Sequence, residues 1–161
     1  MGADSYRDKS ADKRGEISRV YCSFTTERVI NTDQTIPMKI LVVDDEKDMQ
    51  MLFEQRFRKE IREKSVEFVF AFSGEEALSY LNANLHEAVL ILSDINMPGM
   101  SGLELLGHIK QKYSKPPPVV MMITAYGDGD NYKTAMQLGA DDFLTKPVDF
   151  TLLKAKLKIK S

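Results

Sequence analysis

From Met38 onward the chain alternates five times between short, mostly apolar runs and one-sided amphipathic stretches. The runs cover 39–43, 66–72, where Val66, Phe68, Phe70 and Phe72 alternate with their neighbours, 88–92, 119–123 and 142–145. After the first run, Met49, Leu52, Phe53, Phe57 and Ile61 share one face of a helix expected over 48–64. Ser73 with Glu76, and Ser101 with Glu104, are capping boxes that open two more helices. Residues 130–138 read as a fourth helix, with Gly139 suited to its C′ position. Asp149 is placed to cap a last helix carrying Leu152, Leu153, Leu157 and Ile159. Short apolar strands separated by one-sided helices bury themselves best as a parallel sheet covered on both faces. The fold class expected is therefore α/β, a doubly wound (βα)5 unit.

Composition removes several function classes. At 161 residues there is room for one domain of ordinary size. Lysine and arginine number 22 against 24 aspartates and glutamates, so the basic footprint of a dedicated nucleic-acid binder is missing. Cys22 is the only cysteine, which excludes an internal disulfide and suits the reducing cytoplasm. No apolar run approaches the roughly 18 residues of a membrane-spanning helix. Residues 1–37 differ from the rest, being polar and charged over 1–15, and are expected to form a partly disordered arm. Within them Ile17, Val20, Tyr21 and Phe24 fit one face of a short helix or a weakly ordered segment. Six basic and six acidic groups cancel in this arm, so 38–161 carries the whole net charge of −2.

The polar residues at the ends of the runs point to chemistry. Asp44 and Asp45 follow the first run, Asp94 the third, Thr124 the fourth and Lys146 the fifth. Open parallel sheets bind ligands at the carboxyl ends of their strands, where the strand order reverses. With a flavodoxin-like order, 2-1-3-4-5, the first and third strands are neighbours and the three aspartates converge. Three carboxylates in one pocket repel, so either a pKa rises or a cation neutralises them. All-oxygen ligands suit Mg2+ or Mn2+, and magnesium joins carboxylates to phosphate oxygens. Lys146 offers a positive charge to a phosphoryl oxygen and Thr124 a hydroxyl donor. Taken singly, each has a plainer reading: a loop or cap aspartate, a strand-end hydroxyl, a solvated lysine. What favours the set is that every member lies on the same edge of the sheet. Asp141 and Asp142, an acidic pair at the opposite edge, read as turn residues. Lys154, Lys156, Lys158 and Lys160 on the last helix read as a solvated face, the alternative being a contact with acidic groups such as Asp128 and Asp130.

Four segments together carry a resemblance: Ile40 to Glu46 (ILVVDDE), Ser93 to Gly102 (SDINMPGMSG), Ile123-Thr124-Ala125, and Phe143 to Pro147 (FLTKP). Over about 38–159 the chain resembles the receiver domain of two-component response regulators, so the expected organisation is an arm, 1–37, and a receiver domain, 38–161. The resemblance implies that Asp94 accepts a phosphoryl group and that Mg2+ (or Mn2+) is held by Asp45, Asp44, Asp94 and the backbone carbonyl of Asn96. It implies that Thr124 and Lys146 contact the phosphoryl group and that Phe143 is the switch aromatic, moved by packing alone since it lacks a hydroxyl. It further implies a cis Lys146–Pro147 peptide, and that Asn96 and Tyr126 tune acyl-phosphate hydrolysis. The partners implied are a sensor histidine kinase or phosphotransfer protein and a downstream effector protein or domain. The readout surface would be the helix from Asp130, the strand at Phe143 and the helix from Asp149, with a homodimer through that face as a second use. No direct nucleic-acid or membrane contact is implied, and the domain could be the receiver piece of a longer regulator. Its only catalysis would be phosphotransfer to itself and its own dephosphorylation. A Mg2+-dependent phosphohydrolase with an aspartyl intermediate is the competing class. It usually wants a second acid two residues after the nucleophile, where this chain has Asn96. A pseudo-receiver would lack one of the acids, Thr124 or Lys146, and all are present.

Overall fold

The computed structural model describes residues 36–84, 87, 89–113, 118–125 and 127–158. The helix expected around Ile17 to Phe24, nearly all of the arm, Tyr126 and Ile159 lie outside them. The elements in chain order are β1 (Met38–Val43), α1 (Asp48–Arg56), α2 (Arg58–Arg62), β2 (Val66–Ala71), α3 (Gly74–Ala83), β3 (Val89–Asp94), α4 (Gly102–Lys112), β4 (Val119–Thr124), α5 (Gly129–Gln137), β5 (Asp142–Thr145) and α6 (Phe150–Lys156). The five strands form one sheet in the order β2-β1-β3-β4-β5, every pair parallel. That is the doubly wound order expected from the sequence.

Both faces of the sheet are covered, which explains the continuous apolar runs. Alternate residues of each strand feed opposite layers. Leu41, Val43, Ile91, Val120 and Met122 pack with Ala77 and Leu81 of α3, Leu105, Leu106 and Ile109 of α4, and Ala135 of α5. Ile40, Val42, Leu92, Met121 and Ile123 pack with Phe53 of α1, the adjoining Phe57, and Phe150 and Leu153 of α6. Phe53 and Phe57 are fully buried, and each burial contributes about 1.5–3 kcal/mol. The capping residues act as their spacing suggests. Ser73 Oγ accepts from the Glu76 N–H at 3.0 Å, Ser101 Oγ from the Glu104 N–H at 3.1 Å, and Asp149 Oδ1 from the Thr151 and Leu152 N–H groups.

Four local expectations need correction. The helix over 48–64 is divided at Phe57, whose backbone leaves helical values at φ −105° and ψ 21°. The Phe57 ring still stacks on Phe53, one turn earlier, with centroids 6.0 Å apart, so the apolar face continues across the break. Leu152 is 48% exposed, because Phe150, Leu153 and Leu157 already fill the inward face of α6. The lysine series is only partly solvated: Lys154 Nζ lies 3.1 Å from buried Glu60 Oε2, and Lys156 Nζ 2.9 Å from Asp142 Oδ2. Asp141 and Asp142 do more than turn the chain. Asp141 Oδ2 accepts from Lys110 Nζ at 2.7 Å and from the Val120 N–H at 2.8 Å.

Candidate functional site

The register brings the polar strand ends level. Val43 pairs with Ser93, Asp94 with Ile123, and Thr124 with Thr145. Ladder bonds continue past the strand ends: Asp44 N–H donates to the Ala71 carbonyl at 3.1 Å, and Lys146 N–H to the Thr124 carbonyl at 2.8 Å. Asp44, Asp94 and Lys146 therefore leave the sheet from three strands at one height.

The two buried aspartates are oriented by the same local device. Asp44 Oδ1 accepts from the N–H of Glu46 at 2.9 Å, and Asp94 Oδ1 from the N–H of Asn96 at 3.3 Å. Each carboxylate thus spends one oxygen on its own loop, two residues on, as aspartates in turns do. The Oδ2 atoms remain to face each other across Lys146. Lys146 Nζ lies 3.1 Å from Asp94 Oδ2 and 3.6 Å from Asp44 Oδ2. With exposed Asp45, carboxylate oxygens of these aspartates lie within 4.8 Å of one another.

One cation faces too many anions. Besides the two aspartates, Glu46 Oε1 lies 3.5 Å from Lys146 Nζ. Asp44 is 2% exposed, and its Oδ2 has no hydrogen-bond partner among the described residues. Burial pushes the Asp44 carboxyl above the ordinary carboxylate range; the Glu46 N–H opposes this and the charge of Asp94 adds to it. Lys146 is held above its ordinary value: burial works against its charge, but the hydrogen bond and charge of Asp94, with Asp44 and Glu46, outweigh it. An orphaned buried carboxylate oxygen inside a three-aspartate cluster is a demand for positive charge. A hard divalent cation taking oxygen ligands meets it, so the donor set fits Mg2+ or Mn2+.

The remaining expected residues lie around this cluster. Thr124, buried at the tip of β4, donates its hydroxyl to the Leu144 carbonyl at 3.5 Å, a loose bond that leaves it free to turn. Asn96 is exposed beside Asp94. Phe143 is half-buried on β5, its ring packed on Tyr132 of α5 at 4.3 Å between centroids. The Lys146–Pro147 peptide is cis. A cleft of about 440 Å³ opens beside Lys146, lined by Glu46, Met49, Leu52, Ala125, Pro147 and Val148.

Sequence reasoning left Glu46, Tyr132 and Gly102 without roles. Glu46 ends the ILVVDDE segment, but nothing in its spacing tells that its carboxylate turns toward Lys146. Gly102 had a readable signal, a glycine directly after the cap Ser101. Its N–H donates to the Ile95 carbonyl at 2.8 Å, and a Cβ there would lie 2.0 Å from the Asp94 carbonyl oxygen.

Comparison with known proteins identifies the family. The family described as "Response regulator receiver domain" matches residues 40–158. Response regulator RppA of Synechocystis is 36% identical over 121 residues, which are 75% of this chain and 49% of that protein. A cyclic di-GMP phosphodiesterase of Thermotoga maritima is 33% identical over 120 residues, 74% of this chain and 30% of that protein. The chain thus spans about half or less of the curated relatives it matches. Among solved structures, a response regulator receiver domain protein from Clostridium thermocellum superposes with a TM-score of 0.66 at 30% identity, covering 75% of this chain and 91% of that one. Chemotaxis protein CheY4 of Vibrio cholerae does so with a TM-score of 0.64 at 25% identity, covering 77% and 99%.

Proposed function

The chain belongs to the response regulator receiver family, whose function is phosphorylation-activated signalling, and on that premise we propose that Asp94 is its phosphoacceptor. The observation that carries this is the shared lysine: Lys146 Nζ contacts Asp94 Oδ2 at 3.1 Å while Asp44 Oδ2 stays unpartnered beside it. A carboxylate oxygen of Asp94 attacks the phosphorus of a phosphohistidine. The new bond is the acyl phosphate P–O bond; the P–N bond to the donor imidazole breaks, and its electron pair stays on that nitrogen. Bound Mg2+, held by Asp44, Asp45, Asp94 and the Asn96 carbonyl, would neutralise phosphoryl charge. Lys146 then transfers its contact from the bare carboxylate to a phosphoryl oxygen. Thr124, loosely bound to Leu144, turns its hydroxyl toward the same group. Phe143 follows, leaving Tyr132, and the surface formed by α5, β5 and α6 changes for a downstream effector.

The donor, a sensor histidine kinase or phosphotransfer protein, approaches over the cleft beside Lys146. Its largely apolar walls, Met49, Leu52, Ala125, Pro147 and Val148, suit a protein surface better than a free anion. The phosphohydrolase alternative is not favoured by the family match or by Asn96 two residues after the nucleophile. Turnover of a generic phosphate ester separates the two readings, and none is expected. The direct test of the site is beryllofluoride with Mg2+, followed by backbone NMR of parent and Asp94→Asn. The parent is expected to show saturable shifts at residues 94–96, 124 and 143–146; equal shifts in the variant would refute Asp94 as acceptor.

A further inference from the structure

We propose that Glu75 is a positioning residue for the metal site, tying down the loop between β3 and α4 that carries Asn96; this rests on the reading of Asp94 and its metal ligands given above. Helix α3 opens with two glutamates that do different work. Glu76 serves its own helix: its N–H donates to Ser73 Oγ at 3.0 Å, and its Oε1 accepts from the Phe72 N–H at 2.5 Å. Glu75 reaches out of the helix, and its Oε2 accepts from the N–H of Met100, 25 residues further along the chain, at 3.2 Å.

The contact is shaped from both sides. A Cβ on Gly74 would meet the Met100 side chain at 2.9 Å, so glycine lets the loop close on the helix. Gly99 sits at φ +73°, and a Cβ there would lie 3.3 Å from Glu75 Oε2. The far end of the loop is fixed separately, by Gly102 packed on the Asp94 carbonyl. Asn96 lies upstream of both ties, between the end of β3 at Asp94 and Met100, with its N–H on Asp94 Oδ1 at 3.3 Å. A backbone carbonyl can ligate a metal only if its loop is held at a fixed distance from the carboxylates. Glu75 supplies one of the two holds without touching the metal.

Partners of direct ligands commonly alter metal affinity by about 10–100-fold when removed. Glu75 acts through several residues of backbone and is exposed, so the expected effect is smaller, about three- to tenfold. The test is calorimetric titration of the full chain with Mg2+, together with amide hydrogen exchange over 95–101. Three variants are compared: Glu75→Ala, Glu75→Gln and Glu76→Ala. Glu75→Ala is expected to weaken Mg2+ binding by about three- to tenfold and to speed exchange at Met100. Glu75→Gln keeps the acceptor and loses the charge, and is expected to stay within about twofold of the parent. Glu76→Ala is expected to lower the melting temperature while leaving the Mg2+ affinity unchanged. Parent-like Mg2+ affinity in Glu75→Ala would overturn the positioning role alone. Equal weakening by Gln and Ala would also overturn it, since the effect would then be charge and not position. A parent that binds no Mg2+ would overturn the metal reading and this proposal together.

Discussion

Asp44 carries the least satisfied group in the site. Its buried Oδ2 lacks a hydrogen-bond partner, and the nearest cation, Lys146 at 3.6 Å, is shared with Asp94 and Glu46. Since burial raises its pKa, the folded state binds this proton more readily than the unfolded one. Its contribution to stability is therefore most favourable at acid pH. That contribution falls as pH climbs from the ordinary value of 3.8 through the raised one. Asp44→Asn removes the unpaired charge and keeps the Oδ1 acceptor for Glu46. In metal-free protein at neutral pH it is expected to add about 1–2 kcal/mol of stability and to flatten that fall. Urea midpoints across the pH range check it, and a less stable variant would contradict it. The convergence of Asp44, Asp45 and Asp94 was legible in the sequence, because three aspartates and one lysine follow strands that a parallel sheet must align. The sharing of Lys146 with Glu46, and the looseness of Thr124 on Leu144, were not. They depend on side-chain rotamers that spacing leaves open.

At the scale of elements, glycines decide how closely loops approach the sheet. Gly102 opens α4 directly against the Asp94 carbonyl, where a Cβ would lie 2.0 Å away. Gly102→Ala is expected to destabilise by about 2–3 kcal/mol, because backbone must shift to admit it. Gly107, inside the same helix, would meet only Leu138 Cδ2 at 3.9 Å. Gly107→Ala is expected to stabilise by about 0.5–1 kcal/mol, by reducing unfolded-chain entropy without a clash. Chemical denaturation of the pair checks both signs. An ion pair adds to the apolar packing of Leu144 of β5 with Phe150 and Leu153 of α6. Burial works against the Asp142 charge, but the Lys156 ammonium at 2.9 and 3.0 Å and the Phe143 N–H hold its carboxyl below the ordinary range. A lowered pKa contributes stability above the unfolded value of 3.8, and that stability is lost as pH falls through the folded one. Lys156→Met is expected to cost about 0.5 kcal/mol near neutral pH and nothing well below pH 3, a small effect because the pair is partly exposed. Equal costs at both pH values would contradict it. The inner strands β1, β3 and β4 were readable because a sheet covered on both faces needs apolar runs, and the edge strand β2 because Val66, Phe68 and Phe70 alternate. The break at Phe57 was not, since Phe53 and Phe57 keep one apolar face on both sides of it, and neither was the outward turn of Leu152, since Phe150, Leu153 and Leu157 already fill the inward face.

On the scale of the whole molecule, a net charge of −2 conceals a sharp local imbalance. The sheet sorts its charges by edge. Acids at the amino ends of the strands are answered within the fold, as Asp141 is by Lys110 and Asp142 by Lys156. Among the described residues, those at the carboxyl ends outnumber the one lysine paired with them. Mg2+ should therefore bind the folded chain far better than the unfolded one. At a free concentration ten times its dissociation constant it is expected to add about 1.4 kcal/mol of stability. The same addition well below the raised pKa of Asp44 is expected to add much less, because protons occupy the site. No described helix is long and apolar enough to cross a membrane. The matched segment is 49% of one curated relative and 30% of another, so those proteins carry further sequence beyond the part that resembles this chain.

The central claim is that Asp94 takes up a phosphoryl group with the help of Mg2+ and Lys146. Intact mass of the parent, Asp94→Asn and Lys146→Met after incubation with acetyl phosphate tests it most directly, with and without Mg2+. The result expected is a single phosphoryl mass gain in the parent that needs Mg2+, is strongly reduced in Lys146→Met and is absent from Asp94→Asn. Equal labelling of Asp94→Asn, or labelling of the parent that is indifferent to Mg2+, would contradict it.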